Sequence, residues 1–131
     1  MDLARVVPGF GGLYYDSSGT LVVVLTDTSF AAAARAPVAD LISRLGPAIQ
    51  GLRPSSEMRV VEGRYDFTAL AAWYAAFNNE AENAYGLVTL TDIDEVNNRI
   101  DVGVADADSR ETVLGEIARL GIPAAAVEVA V

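Results

Sequence analysis

The sequence predicts an α+β fold of two hairpin–helix–strand units in the order ββα-βα-ββα-β. The sheet is expected to be mainly antiparallel, with the helices packed on one face. Three observations carry this. Residues 20–26 (TLVVVLT) form an apolar, β-branched run directly after the turn residues Ser17, Ser18 and Gly19. Val38, Leu41, Ile42, Leu45 and Ile49 recur at spacings of three and four, the period of an amphipathic helix. A second hairpin–helix–strand succession with similar punctuation returns about 80 residues later.

Residues 1–9 read as a short extended arm, and Gly11-Gly12 punctuates. Residues 13–16 (LYYD) and 20–26 then make the first hairpin, the second strand apolar enough for a central place buried on both faces. Asp27, Thr28 and Ser29 are helix-capping residues ahead of a helical stretch over 30–50. Pro37 has no N–H to give and is expected to break that helix, opening a second one. Gly46-Pro47 is read as a helix end, and residues 51–56 as a loop. Residues 57–65, with Met58, Val60 and Val61, are the third strand.

Asp66 is placed to cap a helix over 67–83, with Phe67, Leu70, Ala71, Tyr74 and Phe77 on its apolar stripe and Trp73 at the edge. Residues 87–93 are β-rich but alternate poorly. The polar stretch 94–98 is a turn, since Asn tolerates left-handed backbone. Ile100, Val102 and Val104 then alternate with Arg99, Asp101 and Gly103, as in a strand with one solvated face. Asp108 and Glu111 have capping-box spacing ahead of Val113 and Leu114. Gly121, Ile122 and Pro123 stop that helix, and residues 126–131 (AVEVAV) form the last strand. The chain is read as a single domain, 1–131, with an internal duplication over about 10–65 and 66–131.

Composition bounds the chemistry. Hydrophobic residues are 52% and charged residues 21%, which suits a packed core and argues against disorder. The net charge of −9 lacks the basic stripe that nucleic acid or an anionic membrane surface requires. No apolar run reaches the length of a membrane span. The opening residues lack a basic stretch followed by an apolar core, so they do not read as a signal peptide.

All nine basic residues are Arg, and there is no His, Cys or Lys. This removes the commonest general base, thiolate chemistry and an amine base, so none of the seven serines has an activating partner of the usual kinds. Asp106 with Asp108 is read as helix capping, where negative charge meets the helix dipole, and no catalytic residue is assigned. Gly9, Gly11 and Gly12 precede a strand, whereas a phosphate cradle precedes a helix. No cofactor is therefore expected. The best cation ligands are Asp92, Asp94 and Asn97, with oxygens that suit Ca²⁺. The central Gly and terminal Glu of a calcium-binding EF-hand loop are missing, so a polar hairpin turn is the reading taken.

Among the aromatic residues Tyr14, Tyr15, Trp73, Tyr74 and Phe77, core packing is the default, but an exposed Tyr14 or Trp73 would mark a partner surface. Val127, Val129 and Val131 lie in a strand with few charges. Left as a bare edge, such a strand pairs readily with another chain.

The segment Gly12-Leu13-Tyr14-Tyr15-Asp16-Ser17-Ser18-Gly19-Thr20-Leu21-Val22-Val23 resembles part of the pro-regions of secreted bacterial chymotrypsin-like proteases of the alpha-lytic protease and streptogrisin group. Residues 92–104, Ala118-Arg119-Leu120-Gly121-Ile122-Pro123 and residues 126–129 resemble the second repeat of those regions. Residues 60–67, with Leu70 and Trp73, resemble the middle part of related bacterial precursors. The resemblance implies an intramolecular chaperone and inhibitor that binds its protease through a sheet face or edge, with the segment after the last strand in the active-site cleft. It implies a protein partner, a chymotrypsin-like protease domain, and a secreted or periplasmic setting. No catalytic residue carries over. A stand-alone protein- or ligand-binding α/β domain is the alternative expectation.

Overall fold

The computed structural model describes residues 3–45 and 58–131. The chain divides into two compact units, residues 1–67 and 68–131. The fold is α+β, and each unit holds one three-stranded sheet. The readings of Gly46-Pro47, Ile49 and the loop 51–56 fall outside the described residues.

The first unit opens with a short helix α1 (Leu3–Val6) where an extended arm is expected. Its helical turn sends Leu3 and Val7 into the core. Strand β1 (Phe10–Tyr15) begins three residues earlier than the sequence suggests and contains Gly11 and Gly12. The glycines mark a register shift between Phe10 and Gly12, with Gly12 at φ 141. The hairpin turn is set by Asp16, whose Oδ1 accepts the backbone N–H groups of Ser18 at 2.9 Å and Thr20 at 3.0 Å.

Strand β2 (Leu21–Leu25) lies between β1 and β3 (Met58–Glu62). It pairs antiparallel with β1 and parallel with β3, and all five of its residues are buried. Leu21, Val23 and Leu25 share a cluster with Leu3, Val7, Phe10, Ala34 and Val38, and the Phe10 and Phe67 rings meet at 6.2 Å. Asp27 caps a short 3-10 turn, accepting from the Ser29 N–H, and this turn leads into α2 (Ala31–Leu45).

Helix α2 runs unbroken through Pro37, contrary to the expected break. The carbonyl that loses its donor belongs to Ala33, an exposed residue that water can reach. Ala34 and Val38, one turn apart, are both fully buried. Tertiary burial of this face outweighs the proline's local cost.

The second unit repeats the order. Helix α3 (Phe67–Glu80) buries Leu70 and Phe77 and ends three residues before the expected boundary, where a 3-10 turn over Glu82–Ala84 begins. Strands β4 (Val88–Asp94) and β5 (Arg99–Val104) form the second hairpin, closed by Asn98 at φ 54. Here too the first strand carries a register shift, between Val88 and Leu90. It packs on Gly103, where a Cβ would stand 2.9 Å from Thr89 Oγ1. The shift changes the strand's phase, which accounts for its poor alternation.

Helix α4 (Ala107–Arg119) is capped by Asp106, whose carboxylate accepts the Ser109 N–H at 2.7 Å. Of the two acidic residues read as capping, Asp106 is the N-cap, and Asp108 of the Asp108–Glu111 spacing lies inside the first turn. The helix ends as expected: the Gly121 N–H bonds to the Ala118 carbonyl and the Ile122 N–H to that of Ile117. Strand β6 (Val127–Ala130) adds parallel to β5, giving the order β4-β5-β6.

Candidate binding surface

The last strand, the acidic hairpin and the aromatic residues are the places where the sequence puts function. Strand β6 lies at the edge of its sheet, and among the described residues no further strand pairs with it. Its side chains alternate: Val129 is buried and Val127 half-buried, while Glu128 and Ala130 are exposed. Val129 is therefore a core side chain, and what it can offer a partner is its backbone. Val131 follows the strand and is 73% exposed.

The hairpin β4–β5 presents a polar outer face. Asp92 stands opposite Asp101, and Asp101 opposite Glu128, so three carboxylates lie in register across the sheet. Arg99 sits beside this row, with its Nε 2.8 Å from Asp101 Oδ1 and 3.8 Å from Asp94 Oδ2. Burial raises the Asp101 carboxyl above its usual range, and its hydrogen bond with Asp94 adds to this. Burial works the same way on Asp94, but the two N–H donors of Asn97 outweigh it and hold that carboxyl low. Glu95 is raised, first by burial and then by the charge of Asp92.

Of the cation candidates, Asp94 and Asn97 are turned towards each other. Asp94 Oδ1 accepts the Asn97 backbone N–H at 3.0 Å and Oδ2 accepts its side-chain N–H at 2.8 Å. Asp92 is on the exposed face two residues away. No group of three or more acidic side chains suited to a metal ion occurs among the described residues. Asp94 and Asn97 thus brace the hairpin turn, while Asp92 is a strand residue opposite Asp101.

Tyr14 belongs to the first unit, opposite Val22 in β1, and is half-buried. Trp73 belongs to α3 and is also half-buried. The exposed aromatic side chains among the described residues are Phe30, 39% exposed, and Tyr85, 93% exposed at the end of the 3-10 turn, beside a hollow lined by Asn78, Asn79, Ala81 and Glu82. An aromatic next to Gly in a polar stretch is the sequence signal for Tyr85. Leu90, 59% exposed on the outer face of β4, had no such signal, because its orientation follows from the register shift.

No helix among the described residues is long and apolar enough to cross a membrane. No protein-family model matches the chain, and no curated protein matches it.

Proposed function

We propose that this chain is a non-catalytic binding module that acts as chaperone and inhibitor of a secreted chymotrypsin-like serine protease. The observation that carries the reading is β6, a short edge strand of low charge with an exposed valine after it. An edge of this kind accepts an added strand through main-chain hydrogen bonds. A β-rich protease folds slowly, because its contacts are distant in sequence. A module that binds the folded protease more tightly than the unfolded chain shifts that equilibrium. The resemblance of residues 12–23, 92–104, 118–123 and 126–129 to protease pro-regions supplies the partner class. The lack of His, Lys and Cys supports a non-catalytic role. On this reading the chain works in the secreted or periplasmic compartment of its protease.

The test is to mix the folded chain with an alpha-lytic-type protease. Slow, tight inhibition is expected, together with faster recovery of activity when the denatured protease is refolded in its presence. A folded sample at micromolar concentration that does neither overturns the reading. A second reading, a stand-alone binding domain, is favoured by Tyr85 and its polar hollow. It predicts that Tyr85→Ala, and no change in β6, removes binding to whatever partner is captured.

A further inference from the structure

Edge strands are pairing hazards, and folded proteins blunt them with bulges, charges or cover. Among the described residues, three of the four sheet edges carry either a register shift or two exposed charges. β1 and β4 each hold a register shift. β3 exposes Arg59 and Glu62. β6 has no register shift and one charged residue, Glu128, which stands on the sheet face opposite Asp101.

What protects β6 comes from α4. Arg110 Nε donates to the carbonyl of Val129, at 3.1 Å. The choice of acceptor is informative in a chain with 18 acidic residues and nine arginines. The guanidinium's ion-pair partner, Glu111, is 3.9 Å away, at the outer limit of such a contact. Its short bond goes to main chain, in a strand of four residues. A bulky, charged group held there obstructs strand addition by its volume and by occupying an acceptor.

We propose that Arg110 is a removable guard of the β6 edge, and that a strand adding to this edge does so by displacing it. This rests on the edge-pairing reading of β6, and it names the step that regulates that site. Arg110 keeps the unpartnered module from pairing with its own copies, and a partner strand competes with it directly.

The experiment uses a second copy of the chain as the probe. Wild type and Arg110→Met are compared by sedimentation velocity over a concentration series, with hydrogen exchange read at amides 127–131. Methionine keeps a good helix former at position 110. A hydrogen bond from a charged donor is lost, so self-association is expected at concentrations about tenfold lower or more. Protection at 127–131 is expected to rise with concentration in the variant. Equal association of the two proteins overturns the proposal, as does a dimer whose 127–131 amides stay unprotected. If R110M does not fold, Arg110→Gln is read in the same way. The outcome is independent of any protease. Pairing by R110M with no protease inhibition by wild type keeps the guard and sinks the protease reading, and the converse result does the reverse.

Discussion

The backbone N–H of Asn83 donates to Glu116 Oε1 at 2.7 Å, joining α4 to the turn that follows α3. Arg119 completes the tie. Its Nε bonds to the other oxygen of Glu116 and its Nη2 to the carbonyl of Glu80 at 2.6 Å. Glu116 is 3% exposed, so a carboxylate sits in the wall of the second unit with both oxygens occupied. The Arg119 hydrogen bond, then the Asn83 N–H, hold its carboxyl below the usual glutamate value.

This gives a prediction with a sign. A carboxyl whose folded value is depressed stabilises the fold above its unfolded value, and the contribution is lost as pH falls through the folded value. Asp16, Asp27 and Asp106 are depressed too, chiefly by hydrogen bonds from Thr20, Ser29 and Ser109. Stability is therefore expected to fall below the ordinary carboxylate range. Glu116→Gln should lower the melting temperature at neutral pH and flatten this acid limb. Glu116→Ala should cost more, because it leaves the Asn83 N–H without that acceptor. Thermal unfolding followed by circular dichroism at several pH values checks both.

Pro37 stands inside α2 without an N–H for the preceding turn. Pro37→Ala is expected to stabilise the protein by about 1 kcal/mol or more, since the restored helix bond exceeds the gain in unfolded-chain freedom. Urea unfolding measures it. A loss of stability would mean that the proline's packing outweighs its missing donor.

The Tyr15 hydroxyl is buried beside the first core and has no hydrogen-bond partner among the described residues. A buried hydroxyl in that state costs free energy, so Tyr15→Phe is expected to stabilise by about 1 kcal/mol. A destabilised Y15F would show that the hydroxyl is bonded in solution.

Two glycines with left-handed backbone separate strain from crowding. Gly9, at φ 71, would place a Cβ 2.5 Å from Thr26 Oγ1, whereas Gly19, at φ 78, has nothing within 4 Å of that position. Gly19→Ala is expected to cost about 1 kcal/mol, from backbone conformation alone. Gly9→Ala should cost about 2–3 kcal/mol, because the Thr26 side chain must also move. Equal costs in urea unfolding would rule out the crowding.

Much of the fold was legible in the sequence because its signals are local. The β-branched run of β2, the turn residues Ser17, Ser18 and Gly19, the tolerance of Asn98 for left-handed backbone, the Gly121-Ile122 helix stop and the alternation of β5 each depend on a few neighbouring residues. Their backbone preferences act within a turn or a strand. The helix expected to break at Pro37 shows the limit of such signals, because burial of Ala34 and Val38 overrides the local cost.

The candidate site was less legible. That β6 is an edge strand, that its neighbour is parallel, and that Asp92, Asp101 and Glu128 face one another are facts of register. Register is set by hydrogen bonds between segments far apart in the chain, and a shift of one residue, as at Thr89 and Leu90, turns a side chain from core to solvent. The bond from Arg110 to the Val129 carbonyl spans 19 residues and leaves no pattern in the sequence. What the sequence determined by itself was which segments become strands and helices. Tertiary structure decided which backbone groups those segments leave open, because only packing brings a helix side chain over a distant strand.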